Sequence, residues 1–380
     1  MKKLEKSMPV IRFKGFSEAW EQRKLEDILD VRSGRDYKHL DSGDIPVYGT
    51  GGYMLSVGEA LSYEEDAIGI GRKGTIDKPY ILKAPFWTVD TLFYTVPKRD
   101  SDLNFIHSIF QKINWKSKDE STGVPSLSKT TINAVSVFTP SCSEQKEIGT
   151  FFNKLDDTIA LHQRKLDALK LMKKGFLQQM FPKRGENIPK IRLDDFDDIW
   201  EQRILGEFLK ESKIKGSNGS LAKKLTVKLW RKGVVPKEEI YTGSSATQYY
   251  IRKTGQFIYG KLDFLNQAFG IIPLELDGYE STLDSPAFDI EESINETFLL
   301  EYVSLVRFYK YQGNIANGSR RAKRIHTDTF FEMPIPLPNS NEQQKIGTFS
   351  QQIDDLIALQ QNKLEKISSL KRFYLKNMFI

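Results

Sequence analysis

Apolar side chains recur at alternating steps of four and three through residues 143–181, at Ile148, Phe152, Leu155, Ile159, His162, Leu166, Leu169, Lys173, Phe176 and Met180. The spacing returns at Ile346, Ser350, Ile353, Ile357, Gln360, Leu364, Ile367, Lys371, Tyr374 and Met378. This is the seam of a coiled coil interrupted by polar layers, and it predicts two long helices. Aligned without a gap, residues 143–181 and 341–379 agree at 18 of 39 positions, so the chain contains an internal repeat. Ser141 followed by Glu144, and Asn339 followed by Glu342, have the spacing of capping boxes. Each helix would run about 58 Å and cannot bury its seam alone. The simplest solution is antiparallel packing of the two about a pseudo-two-fold; a helical hairpin or dimerisation stalk is the plain alternative.

A second repeat precedes each helix. The 21 residues from Pro9 to Leu29 return from Pro189 to Leu209 with ten identities, both ending on Trp-Glu-Gln-Arg and a short tail. The chain therefore reads opener, body, long helix, and the same again, joined by a short polar linker at 182–188. The bodies share little sequence. Strands are predicted around Ala67, Thr91, Gln256 and Ala268, and helices over 104–112 and 294–311. Each body closes on an extended, proline-containing segment, 135–140 and 333–338.

Composition narrows the classes. One cysteine, Cys142, removes any disulfide framework and cysteine zinc site and fits a reducing cytoplasm. No apolar run approaches the roughly 20 residues of a membrane span, and no signal peptide is evident at the start. A net charge of +6 permits a polyanionic partner without requiring one.

These features together are similar to the specificity subunit of type I restriction–modification systems. The resemblance rests on the openers ending Trp20-Glu-Gln-Arg23 and Trp200-Glu-Gln-Arg203, two unlike bodies, and two Glu-Gln-containing helices. Weaker likenesses lie inside the bodies: Pro46-Val-Tyr-Gly-Thr-Gly-Gly52, Gly71-Arg-Lys-Gly-Thr-Ile76, Pro85-Phe-Trp-Thr-Val-Asp-Thr91 and Gly318-Ser-Arg-Arg321. It implies an α+β architecture: two mixed α/β target-recognition domains (9–142 and 189–339) joined by antiparallel coiled-coil helices (143–181 and 340–380), with the pair acting as a ruler. It further implies that the chain itself is not catalytic. Double-stranded DNA would be bound together with two methyltransferase subunits and with restriction subunits. S-adenosylmethionine, ATP and Mg would belong to those partners, and no cofactor to this chain.

Candidate chemistry agrees with a reader rather than a catalyst. Gly69-Ile-Gly71-Arg-Lys-Gly74 matches a dinucleotide-loop pattern, but Pro79 is hostile to the helix such a loop must open, so a tight turn tipped by Arg72 and Lys73 is expected. Near DNA, that tip would meet phosphate or a base edge. The basic residues chosen as DNA contacts are Arg35, Lys38, Arg72, Lys73, Lys116, Lys118 and Lys129 in the first body. Those in the second are Lys223, Lys261, Arg320, Arg321, Lys323 and Arg324. His39, His107, His162 and His326 lack metal spacing, and Glu144-Gln-Lys146 lacks the strand carboxylate of a nuclease site. Asp156-Asp157 and Asp354-Asp355 are expected to face solvent or a partner. Beyond the seam lies a further apolar stripe: Phe151, Leu161, Met172, Leu177 and Phe181, matched by Phe349, Leu359, Leu370, Leu375 and Phe379. It would either cover the bodies or, as the resemblance implies, dock methyltransferase helices. A self-sufficient duplicated nuclease or methyltransferase, and a scaffold without a DNA role, are the alternatives.

Overall fold

The structure, a computed structural model, describes residues 8–238, 244–314, 318–319 and 322–380. The major helices are α1 (Leu103–Lys112), α2 (Cys142–Met180), α3 (Glu296–Val303), α4 (Val306–Gly313) and α5 (Ser340–Asn377). The chain forms two compact units, Met1–Arg164 with Gln361–Ile380, and Lys165–Gln360. Each unit thus contains one body and half of each long helix, with seam residues such as Phe152 and Met180 packing into the body core as well as against the other seam.

In the first unit Phe152 meets Phe379 at 5.5 Å, Phe151 meets Tyr374 at 5.0 Å, and Lys371 pairs with Asp156. Rising numbers on α2 face falling numbers on α5, so the segments are antiparallel. In the second unit Phe176 lies 5.6 Å from Phe349 and Lys173 is 2.6 Å from Asp354, again antiparallel. The two Lys–Asp pairs are the same pair repeated. Asp156 and Asp354 therefore face the seam lysines, where the sequence pattern predicted solvent or a partner. The lysines supply the polar layers, and their stems fill the seam while their ammonium groups need an acid.

The bodies share a sheet plan despite their dissimilar sequences. The first has an antiparallel sheet in the order Leu29–Ser33, Leu92–Pro97, Ala67–Gly71, Tyr80–Leu82. The second repeats it as Leu209–Ser212, Ala287–Ile290, Phe257–Tyr259, Phe269–Ile271. The opener strand Glu21–Lys24 pairs with the closing strand Ser136–Thr139, and Glu201–Ile204 with Pro334–Leu337. Prolines are tolerated in these short, two-stranded pairings because each strand needs hydrogen bonds on one side only.

The recurrence of the opener and of Glu-Gln at the helix start has one cause. Glu342, 1% exposed, accepts from Arg192 Nε at 2.8 Å and Nη2 at 2.5 Å, and from Trp200 Nε1 at 3.1 Å. Glu144, equally buried, takes Arg12 Nε and Nη2, both at 2.7 Å. The next residue clamps the body helix. Gln145 Oε1 accepts from Asp102 N at 3.1 Å, and Gln343 Oε1 from Asn295 N at 2.9 Å. Asp102 and Asn295 are the N-caps of α1 and α3. A Cβ at Gly149 or Gly347 would collide with those same cap oxygens, so the repeated glycine permits the close approach.

Two further expectations needed revision. The second capping box is half formed, Asn339 Oδ1 accepting from Glu342 N at 3.0 Å, whereas in the first Ser141 Oγ meets Ser143 Oγ at 3.1 Å; both glutamates point at arginines instead of back to the cap. The helix predicted over 294–311 is two helices. Leu305 takes an extended conformation and buries in the core, which re-aims α4, and neither glycine nor proline announces the break.

Glu301, 1% exposed on α3, receives Arg231 Nη1 at 2.5 Å, Lys173 at 2.9 Å and Ser350 Oγ at 2.6 Å. Burial alone would raise its pKa, but Arg231 and Lys173 outweigh it and hold the carboxyl at about 2. The folded unit therefore binds fewer protons than the unfolded chain, and the stabilisation is present above the ordinary glutamate value. It should be lost as pH falls from about 4.5 to about 2. A stability–pH profile flatter in that window for Glu301→Gln than for the native chain checks this.

Candidate nucleic-acid interface

In the first body the strand Ala67–Gly71 ends in a tight turn. Arg72 N and Lys73 N both donate to Thr91 O, at 2.8 and 3.2 Å. Gly74, at φ +91°, donates to Pro125 O, and Leu127 N donates to Arg72 O at 3.0 Å. No helix follows, in keeping with the tight turn and against a dinucleotide loop. The bonds bring residues 71–74 against 125–129, where Ser128 caps the short helix Lys129–Asn133. A shallow cavity of about 410 Å³ results, lined by Ser33, Arg72, Lys73, Phe93, Ser126, Leu127, Ser128 and Lys129. Exposed Arg72 lies over the Phe93 ring at 5.7 Å, and its Nη1 donates to Asp90 O at 3.4 Å. Three of the seven cations chosen in this body thus converge. The others lie elsewhere on the surface: Arg35 and Lys38 follow the strand Leu29–Ser33, Lys116 is 2.9 Å from Asp77, and Lys118 ends the turn anchored by buried Trp115.

In the second body Lys261, Asp284 and Arg324 meet. Lys261 N donates to Asp284 O at 2.8 Å, Ile325 N to Lys261 O at 3.0 Å, and Arg324 Nη1 to Asp284 Oδ1 at 3.1 Å. Burial lowers the Lys261 pKa from the ordinary lysine value. Lys213, paired with Glu211 at 2.8 Å, adds a nearby positive charge that was not among the chosen cations; only its place in the run Lys213-Ile-Lys215 hinted at it. Lys223 is exposed, and its carbonyl accepts from Glu280 N at 2.7 Å. Arg320 and Arg321 lie outside the described residues, as does the side chain of Lys323, whose backbone forms the two-residue strand Ala322–Lys323.

Residues 17–171 and 198–369 match the family of type I restriction modification DNA specificity domains. The chain belongs to that family. The type I restriction enzyme MjaVIII specificity subunit of Methanocaldococcus jannaschii is 24% identical over 291 residues, 71% of this chain and 68% of that protein. The S subunit of a type I restriction-modification system from M. genitalium has the same fold, with a TM-score of 0.68 at 12% identity over 98% of this chain and 99% of that one. A chain from a structural study of complex assembly and conformational transition of the type I R-M system follows, with a TM-score of 0.52 and 14% identity over 94% and 96% of the two chains. Each family match spans the end of one opener, one body and most of one long helix, close to the unit the sequence repeat had delimited.

The apolar stripe of this specificity-family chain divides in two. Leu177, Phe181 and Phe379 are buried in the cores, and Phe151, Phe349 and Leu375 pack partly buried against them. Their surface is used inside the chain, the covering role that was one of the two expectations for the stripe. Leu161, Met172, Leu359 and Leu370 remain 43–51% exposed. Among the described residues no helix is long and apolar enough to cross a membrane.

Proposed function

We infer that this chain is the DNA-recognition subunit of a type I restriction–modification assembly, working in the cytoplasm. Its two unlike bodies read the two unlike halves of a bipartite target, and it directs adenine methylation or cleavage by methyltransferase and restriction subunits. S-adenosylmethionine, ATP and Mg would be held by those partners. The observation that carries this reading is the convergence of Arg72, Lys73 and Lys129, from segments over fifty residues apart, on one open basic cavity in a specificity-family body. Cations on a turn braced by backbone bonds meet phosphate without first being ordered, and an exposed guanidinium suits guanine O6 and N7. The four exposed stripe residues, together with exposed Leu171, Leu356 and Phe373, give the long helices apolar surface for partner docking.

Replacing Arg72 and Lys73 together by alanine should abolish methylation at the target in cells that carry the complete system. It should also lower DNA affinity of the assembled complex and flatten its salt dependence by about 0.9 in log–log slope for each phosphate that is no longer neutralised. Unchanged methylation and salt slope would remove this cavity from the interface. The chain alone, incubated with DNA, Mg and S-adenosylmethionine, should neither cut nor methylate.

A further inference from the structure

Besides Glu211, which is part-buried and paired with Lys213, the basic group of the second body contains an exposed carboxylate that a phosphate-binding surface would not keep. Asp284, its side chain 53% exposed, projects from the turn 282–285 beside Arg324 and Lys261. Against DNA backbone a carboxylate is repelled. Against a base edge it accepts from an exocyclic amino group, cytosine N4 being the donor a carboxylate takes in the major groove.

The turn is held from beneath by an unusual device. Arg252 is fully buried, and among the described residues it makes no salt bridge. Its Nε donates to Ser281 Oγ at 2.7 Å and Nη1 to Ser212 O at 2.8 Å. Nη2 lies 3.3–3.5 Å from the carbonyls of Ser285, Thr282 and Ser281. Ser281 Oγ in turn donates to Ser285 O at 2.6 Å. Burying a cation without a carboxylate is costly, and the one acid on this turn points away from it toward Arg324. The guanidinium fork instead fixes the carbonyls on both sides of Asp284, which is the support a residue needs when its position must be set before binding.

We propose that Asp284 determines specificity in the second body, accepting from cytosine N4 in the half-site that body reads. Arg324 aligns its carboxylate, and Arg252 is the positioning residue that fixes the turn. This rests on the DNA-recognition reading above.

The test uses the complete system in cells, with methylated adenines mapped across the genome for the native chain and for Asp284→Asn, Arg252→Lys and their combination. The substitution at Asp284 is on the surface and leaves the core intact; thermal unfolding of each purified chain reports folding separately. Asp284→Asn should leave the first half-site unchanged and reduce discrimination at one cytosine of the second at least tenfold. Arg252→Lys, which keeps the charge and loses the fork, should relax the same position, and the double variant should do no more than either alone. An unchanged recognition sequence in Asp284→Asn would overturn the proposal. So would a gain in binding to all sequences alike, which is what a mere neutraliser of Arg324 predicts, or a native second half-site without cytosine. Relaxation at a different position in Arg252→Lys would remove that residue's role. A native system that yields no sequence-specific methylation would instead sink the recognition reading itself.

Discussion

Glu301→Ala is expected to destabilise the second unit by about 3–5 kcal/mol, measured by chemical denaturation, because it strands half-buried Arg231 and strips Lys173 of its buried carboxylate. Lys173 keeps Asp354, which is 45% exposed and therefore a weaker partner. Arg231 has more to lose: its backbone sits at φ +55° in the hairpin loop, with Trp230 beside it at +59°. Such left-handed residues persist only where tertiary contacts impose them, and the bond to Glu301 is one of those contacts. Removing all three charges together, as Glu301→Leu with Arg231→Met and Lys173→Met, should recover most of the loss, since the penalty comes from the stranded ions and not from the absence of the network.

The second large effect falls on the opener. Glu342→Ala should also cost about 3–5 kcal/mol, stranding Arg192 and the indole of Trp200. Glu144→Ala in the first repeat should cost less, by about 1–2 kcal/mol. There the glutamate serves Arg12 alone, and Trp20 Nε1 and Arg12 Nη1 are already without partners among the described residues. Equal losses in the two variants would mean that the indole bond contributes nothing.

The comparison of these two glutamates indicates how much was legible in the amino-acid order. Duplication, helix spacing and the opener repeat are local patterns, and every seam position predicted from them is buried or half-buried. The Glu-Gln pair was visible as a recurrence, yet its work, one residue gripping the opener and the next the cap of a body helix, depends on three segments more than forty residues apart. Spacing within a single segment carries no information about such meetings. Asp156 and Asp354 illustrate the same limit: their heptad position was readable, but the lysine each one faces follows from antiparallel register.

The basic interface divides in the same manner. Arg72 and Lys73 were identifiable because glycines on either side mark a turn, and Lys129 only as one more cation; the backbone bonds between 71–74 and 125–129 brought them to one cavity. Arg252 and Asp284 gave no signal at all. A lone arginine and a lone aspartate look like ordinary surface residues until burial removes one from water and the turn presents the other. By itself the amino-acid order determined the duplicated plan, the two helical seams and the family, because periodicity and repetition survive in one dimension. Tertiary structure alone decided which charges are paired, which apolar residues are spent in the cores and which few remain free to meet DNA or a partner, because desolvation and ion pairing act between groups that only folding makes neighbours.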